Sequence, residues 1–375
     1  MTLPGLASST VTIRLDHIAA NLAAIRARVG DRQILVAVKA DGYGHGAAEV
    51  SRHLQDAALA DAFGVATVGE GVGLREAGIT LPVLKLSVAR GDETVVAADY
   101  DLALVAVDEQ SIVEAGAAGA AVGRELALHL KIDTGMRRIG CEPEDAPRLA
   151  ALVRDTPGVR LVGVMSHLPV SDVPAGDEFT ASEIVHFGHV CTALEAVHGP
   201  LLKHLANSGG ILAHPESWLD LVRPGVMVYG NHPDPRTPHT VPLLPGLEWR
   251  SRVTFVKRVR AGETVGYGRT WAAPADTWLA TVAIGYGDGY SRALSSRGRM
   301  LVNGRSYPIA GRVSMDQTVI DLGPEPAAAV GDEVVLIGRS GDEEITVAEL
   351  AELQDTITYE VTCAIGRRVT REYRW

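Results

Sequence analysis

Between about residues 33 and 225 the chain alternates short β-branched and aliphatic runs with longer stretches rich in alanine, leucine, glutamate and arginine. The short runs are QILVAVKA (33–40), AFGVAT (62–67), PVLKLS (82–87), LALVAV (102–107), RELALHLKID (124–133), VRLVGVMSHL (159–168), KHLANS (203–208) and LDLVRPG (219–225). They are nearly continuous in apolar residues, the pattern of strands covered on both faces in a parallel sheet. Between them, HGAAEVSRHLQDAALAD and PEDAPRLAALVRDT have helical spacing, and Pro143 among acidic neighbours reads as a helix start. Eight strand–helix alternations over roughly 200 residues have the size of a (β/α)8, TIM-type barrel. An open doubly wound sheet fits the same periodicity and stays as the alternative.

The pattern breaks at NHPDPRTPHTVPLLPG (231–246), which carries five prolines and no periodicity and reads as a linker or extended crossing segment. Beyond it, short strands are separated by turn signals at Ala261-Gly262, Asn303-Gly304, Val330-Gly331-Asp332 and Ser340-Gly341-Asp342. RMLV-NG-RSYPIAG is the clearest hairpin, and TVAELAEL is a single helix in an otherwise β-rich region. The expected division is a barrel over 12–240 and a mainly β domain over 241–375, with residues 1–11 associated with the latter. VTIRLD (11–16), ahead of the first helix, is a strand that can sit outside the barrel, in the β domain.

Composition narrows the class. The chain has 375 residues, 46% hydrophobic and 22% charged, with 46 acidic against 35 basic side chains and a net charge of −11. At about 150 residues per domain the length suggests two or three domains. An acidic balance argues against a nucleic-acid-binding surface. MTLPGLASST has neither the basic nor the apolar part of a secretory signal, and no run approaches the ~20 apolar residues of a membrane span. Cys141, Cys191 and Cys363 lie far apart without CxxC or zinc spacing. They read as reduced, buried small hydrophobes in a soluble cytoplasmic chain that holds no metal.

In a barrel, functional residues belong at the C-terminal ends of strands. Lys39 ends the first run and opens the glycine-rich turn Ala40-Asp41-Gly42-Tyr43-Gly44-His45-Gly46. Such a lysine is either snorkelling from a strand end or desolvated, with a lowered pKa suited to a Schiff base. Lys131 and Arg138 bracket Asp133-Thr134-Gly135-Met136 after the fifth run, and His167 ends the sixth. Asn207-Ser208-Gly209-Gly210 follows the seventh, and Arg223-Pro224-Gly225 closes the eighth. Each has an ordinary alternative: a core histidine, a helix cap, a surface ion pair. The last two loops are where barrels commonly bind phosphate, and Ser208, Gly225 and Val226 suit that task. A lysine and a phosphate cradle in one barrel mouth suggest pyridoxal phosphate. His186-Phe187-Gly188-His189 reads as a helix face, and Gly69-Glu70-Gly71-Val72-Gly73 has the wrong spacing for a nucleotide loop.

AVKADGYGHG (37–46) resembles the cofactor-binding signature of the alanine racemases. The resemblance continues through LKIDTGMRRIG (130–140), HLANSGG (204–210), VRPGVMVYG (222–230), VGYGRTW (265–271), IGYGDGYSR (284–292), GRVSMDQ (311–317) and TYEVTCAIGRR (358–368). It implies an N-terminal (β/α)8 barrel, a C-terminal β domain and a head-to-tail homodimer with shared active sites. Lys39 would carry pyridoxal 5'-phosphate, with Tyr43, Ser208, Gly225, Val226 and Tyr359 on its phosphate. Tyr267 would reach into the partner's barrel as a second base. Tyr286, Met315 and Asp316, also from the partner, would shape the substrate entrance and carboxylate site. Arg138 would meet the substrate carboxylate, and Lys131 stands where many members carry a carbamate. Arg223 would face the pyridine nitrogen, with His167 and His204 linking it to Tyr267. Ser314, Leu168 and Asp41-Gly42 depart from the commoner residues of the family and touch no implied base.

Racemisation needs a group on each face of the substrate carbanion, here Lys39 and Tyr267. Arginine offers only donors and keeps its proton, so the cofactor would be a weak electron sink. The implied reaction is interconversion of L- and D-alanine, supplying D-alanine for peptidoglycan. Serine or broad-specificity racemisation and a pyridoxal-phosphate decarboxylase are the alternatives. A non-catalytic cofactor carrier is opposed by residues 247–375 and by Tyr267.

Overall fold

A computed structural model describes residues 8–375. It divides into two units, one of Ile18–Leu244 and one joining the described residues up to His17 to Pro245–Trp375. Strand β1 (Thr10–Arg14) belongs to the second unit. Of residues 1–11, the first seven lie outside the described residues.

The first unit is built on β2 (Gln33–Ala37), β3 (Ala62–Val65), β4 (Val83–Lys85), β5 (Leu104–Ala106), β6 (Leu126–Lys131), β7 (Val159–Met165), β8 (Leu202–His204) and β9 (Leu221–Val222). Parallel pairing runs from β2 through β3 to β4, and from β5 through β6 and β7 to β8. A parallel bridge from Leu84 to Ala103 joins the two arcs. On the other side, Asp220 N–H bonds Lys203 O (3.1 Å) and Arg223 N–H bonds Ala206 O (2.9 Å), while β9 pairs with β2. The ring closes, which excludes the open doubly wound sheet and leaves no free strand edge. Leu35, Ala62, Leu84, Val105, Met165 and Leu221, one from each of six strands, form a continuous apolar cluster.

The second unit is a nine-stranded sheet that includes β1. Its long strand β10 (Leu247–Val259) is followed by a small pair, β11 (Thr264–Val265) and β12 (Trp271–Ala272), and by β13 (Thr277–Val282). Then come the hairpin β14 (Arg299–Val302) and β15 (Arg305–Pro308), β16 (Thr318–Gly323), β17 (Glu333–Ser340), β18 (Glu343–Ile345) and β19 (Thr370–Arg374). β1 lies between β10, antiparallel, and β19, parallel. Val11 and Ile13 are completely buried, so the chain's first described strand is a central one here. No helix among the described residues is long and apolar enough to cross a membrane.

Candidate active site

After β2 the backbone turns left-handed. Ala40, Asp41, Gly42, Tyr43 and Gly44 all have positive φ, between 52° and 83°. Each non-glycine residue in this region costs about 1–2 kcal/mol, so the turn persists only if its surroundings over-determine it. They do. Gly42 N–H bonds Val38 O (2.8 Å), Gly44 N–H bonds Ala40 O (3.0 Å) and Gly46 N–H bonds Asp41 O (2.8 Å). The Asp41 carboxylate takes Ala47 N–H at 2.9 Å. The turn lifts Lys39 to the rim and folds the Tyr43 ring inward, 5.1 Å from that of Tyr229, whose hydroxyl donates to Ala37 O.

Opposite, the loops after β8 and β9 make a cradle. Asn207 caps the short helix Ser208–Ala213 by accepting from Gly210 N–H (3.0 Å), and its amide donates to Leu168 O (2.9 Å). Ser208 Oγ accepts from Gly225 N–H at 3.0 Å. A Cβ at Gly225 would lie 2.5 Å from Tyr43 Oη, and one at Gly209 2.7 Å from Ser171 Oγ. Tyr43, Ser208 and Gly225 therefore meet, with Val226 buried beside them. Small residues, hydroxyls and amide N–H groups at a helix start are the donor set that a phosphate needs.

Behind the cradle lies a buried polar chain. Arg223 donates to Ser166 O (2.7 Å), Leu205 O (2.9 Å) and His204 Nδ1 (3.1 Å). Because His204 Nδ1 accepts, its Nε2 carries the proton and donates to His129 Nδ1 at 2.9 Å. His204 thus spends both ring nitrogens on Arg223 and His129. Burial pulls the Arg223 guanidinium down to about 9, still charged at neutral pH, and holds His204 well below the usual histidine range. His129 falls to about 4 by burial and by the charges of Arg223 and Arg160.

Lys131, at the end of β6, donates to Leu86 O at 3.3 Å. Burial, then Arg223, Arg138 and Lys39, lower it to about 8. The same cations, after burial, keep His167 well below its ordinary value. Lys39, Lys131, Arg138, His167 and Arg223 accordingly share one electrostatic neighbourhood. Arg138 is exposed on a loop braced by Asp133, whose Oδ1 accepts from Gly135 and Arg137 N–H, both at 3.0 Å.

Tyr267, Tyr286, Met315, Asp316 and Tyr359 lie in the second unit. Tyr267 stands on the turn between β11 and β12, flanked by Gly266 and Gly268 with φ of 69° and 73°. The loops of Tyr286 and Met315 are laced together: Tyr286 N–H bonds Ser314 O (3.0 Å) and Gly287 N–H bonds Met315 O (2.8 Å). Arg368 ties both, donating to Asp288 Oδ1 and Asp316 Oδ1 at 2.7 Å each. Tyr359 is half-buried on the helix Thr358–Cys363.

His129, Ser166, Glu70 and Arg368 were not singled out from the sequence. His129 had a readable signal, because it is two residues from Lys131 on one strand and so shares its face. Among the described residues no three or more His, Cys, Asp or Glu side chains cluster as a metal site.

A closed (β/α)8 barrel with a rim lysine facing an anion cradle defines a barrel enzyme of the lysine-anchored cofactor class. Residues 13–233 match the alanine racemase N-terminal domain and 246–373 the alanine racemase C-terminal domain. The chain is 49% identical over 364 residues to the alanine racemase of Cutibacterium acnes, covering 97% of each. It is 39% identical over 368 residues to that of Chlorobaculum tepidum, covering 97% of this chain and 94% of the relative. The alanine racemase of a D-cycloserine-producing Streptomyces lavendulae superposes with a TM-score of 0.92 at 34% identity, over 100% of this chain and 98% of that one. The Bacillus anthracis alanine racemase, solved with bound L-Ala-P, gives 0.92 at 32% identity, over 100% and 96%. The chain belongs to the alanine racemase family, whose members are pyridoxal-phosphate-dependent isomerases.

Proposed function

We propose that this chain interconverts L- and D-alanine with pyridoxal phosphate, as a homodimer in which Lys39 and the partner's copy of Tyr267 are the two bases. The observation that carries the reading is the meeting of the Lys39 turn with the Ser208–Gly225 cradle, backed by a charged Arg223 held by three hydrogen bonds. The residues present fit the cofactor. Ser208, Gly225, Val226 and Tyr43 would hold the phosphate, while Lys39 would anchor the other end and Arg223 and His167 would line the ring. When bound, pyridoxal phosphate draws electrons from the substrate's α-carbon and makes its proton acidic.

Lys39 would take or return the α-proton at Nζ on one face, and Tyr267 at Oη on the other. Lys39 shares its field with Lys131, Arg138 and Arg223, the same charges that act on Lys131 and His167. Arg138 would bind the substrate carboxylate, and Lys131, whose lowered pKa leaves a nucleophilic amine, suits a carbamate that steadies it. Arg223 keeps its proton, so a ring nitrogen beside it stays unprotonated. The weaker electron sink favours prompt proton return over transamination or decarboxylation. Tyr286, Met315 and Asp316 would frame the entrance from the partner. The product would feed cytoplasmic peptidoglycan precursors.

Purified protein supplied with L-alanine is expected to approach an equal mixture of enantiomers, with slower turnover of L-serine. Absence of any interconversion would overturn the reading, and faster serine turnover would move it to a serine racemase.

A further inference from the structure

Thr67 and Glu70 make an ordinary capping box at the start of the helix Val68–Glu76: Glu70 N–H bonds Thr67 Oγ1, and Glu70 Oε2 takes Thr67 N–H, both at 3.2 Å. Such a carboxylate needs only the one N–H. Here Glu70 Oε2 also accepts from Ala66 N–H at 2.7 Å, and Oε1 reaches the neighbouring βα loop to accept from Ala40 N–H at 2.7 Å. Ala40 directly follows Lys39 and is the first residue of the left-handed turn. The two shortest of the three backbone bonds to this carboxylate go outside the capping box.

The Ala40 N–H has few alternatives. The turn's own bonds begin at Gly42 N–H and Gly44 N–H, and β3 reaches back only to Val38 N–H through Gly64 O. Lys39 therefore stands between a strand that ends at Ala37, with its last ladder bond at Val38 N–H, and a strained turn whose first amide is held by a side chain from another loop. Orientation of the Lys39 Cα–Cβ bond follows the peptide plane between Lys39 and Ala40, and that plane is the one Glu70 grips.

From this geometry we infer that Glu70 is a positioning residue for Lys39, fixing the direction from which its amine meets cofactor and substrate. The inference rests on Lys39 being the cofactor lysine. A carboxylate suits the task because both oxygens accept, so one side chain can serve two loops at once. A carboxamide has one accepting oxygen and would turn an N–H toward the other amide. A change of about 1 Å in the reach of a reacting group is worth up to about a hundredfold in rate.

The test compares holoenzymes of wild type, Glu70→Gln and Glu70→Asp. Borohydride treatment and peptide mapping first establish whether the cofactor is reduced onto Lys39. Each variant is then assayed for kcat and KM, for deuterium uptake by the peptide spanning residues 38–46, and for the rate at which hydroxylamine strips the cofactor. Glu70→Gln is expected to lower kcat about tenfold with KM little changed, and to raise deuterium uptake and stripping several-fold, the loss of one charge-assisted bond. Glu70→Asp keeps the charge with a shorter arm and should fall between the two. Unchanged kcat and stripping in Glu70→Gln would overturn the inference, as would loss of thermal stability with per-site kcat intact, which marks a helix cap alone. Failure to label Lys39 in the wild type would instead overturn the reading of Lys39.

Discussion

In the barrel unit, Lys131, His129, His204 and Arg223 are 5, 7, 0 and 5% exposed, whereas in the β unit Tyr267, Met315 and Tyr286 are 73, 53 and 44% exposed. The first group is installed during folding of its own unit. Its charges are removed from water, and each is compensated by a carbonyl or a neighbouring ring, which is why its pKa values move. The second group is held from behind, through backbone bonds, paired glycines and Arg368, with its side chains left in solvent. In the proposed mechanism the buried cations serve binding within one unit. Exposed aromatic and acidic residues on braced loops suit delivery to something outside their own unit, which is the task given to Tyr267, Tyr286, Met315 and Asp316 in the proposed dimer.

Changes to the exposed group should then affect reaction and spare folding. Tyr267→Phe is expected to reduce alanine turnover in both directions by about a thousandfold, in the range for loss of a general base. Its melting temperature and cofactor absorbance should match wild type, and steady-state assays with each enantiomer check this. If the melting temperature falls steeply, Tyr267 belongs with the buried group.

Changes to the buried group should do the reverse first. Arg223→Gln removes donors from Ser166 O, Leu205 O and His204 Nδ1 in a site without solvent. Leaving buried acceptors without their donor costs about 1–3 kcal/mol each, readable by chemical denaturation. A loss below about 1 kcal/mol would place Arg223 among the surface arginines.

Acid should act on the buried group through its histidines. His129 and His204 have folded pKa values below the unfolded value near 6.5, so the unfolded chain binds protons that the native state refuses. The stability they contribute is present above about pH 6.5 and is lost as pH falls from there toward about 4, at no more than about 1.4 kcal/mol per pH unit for each ring. Replacing His129 with glutamine should flatten that slope. An unchanged slope would show that other groups carry the acid sensitivity.

The smallest effect is expected at Glu183, buried behind the loop that carries Arg138. Its Oε1 accepts from Thr134 Oγ1 at 3.3 Å and its Oε2 has no partner. Burial, with Asp133 nearby, raises it to about 7. A raised carboxyl costs stability above its folded pKa, because the unfolded chain has already released the proton. Glu183→Gln should therefore gain about 1 kcal/mol at pH 8 and nothing at pH 4. Equal melting shifts at both values would show that volume, and not charge, sets the effect.

The barrel was legible because each of its strands is a self-contained apolar run, so QILVAVKA and LALVAV announce themselves without their neighbours. The rim residues followed from the ends of those runs and from the resemblance. What was not legible depends on groups distant in the chain. Glu70 sits in a glycine-rich stretch with no local sign that its carboxylate crosses to Ala40, and Arg368 lies 52 residues from Asp316. The handedness of the 40–44 turn is equally hidden, since Ala40 has no intrinsic preference for positive φ. Side-chain-to-backbone clamps between loops have no periodicity to read.

The proposed sharing of each site between two chains is tested most directly by mixing two inactive variants, Lys39→Ala and Tyr267→Phe, under conditions that exchange protomers. A mixed dimer would contain one site with both bases intact and one with neither. Random pairing should restore about a quarter of wild-type racemisation, since half the dimers are mixed and each has one working site of two. No recovery, with exchange verified by mass spectrometry, would place both bases in the same chain and contradict the account.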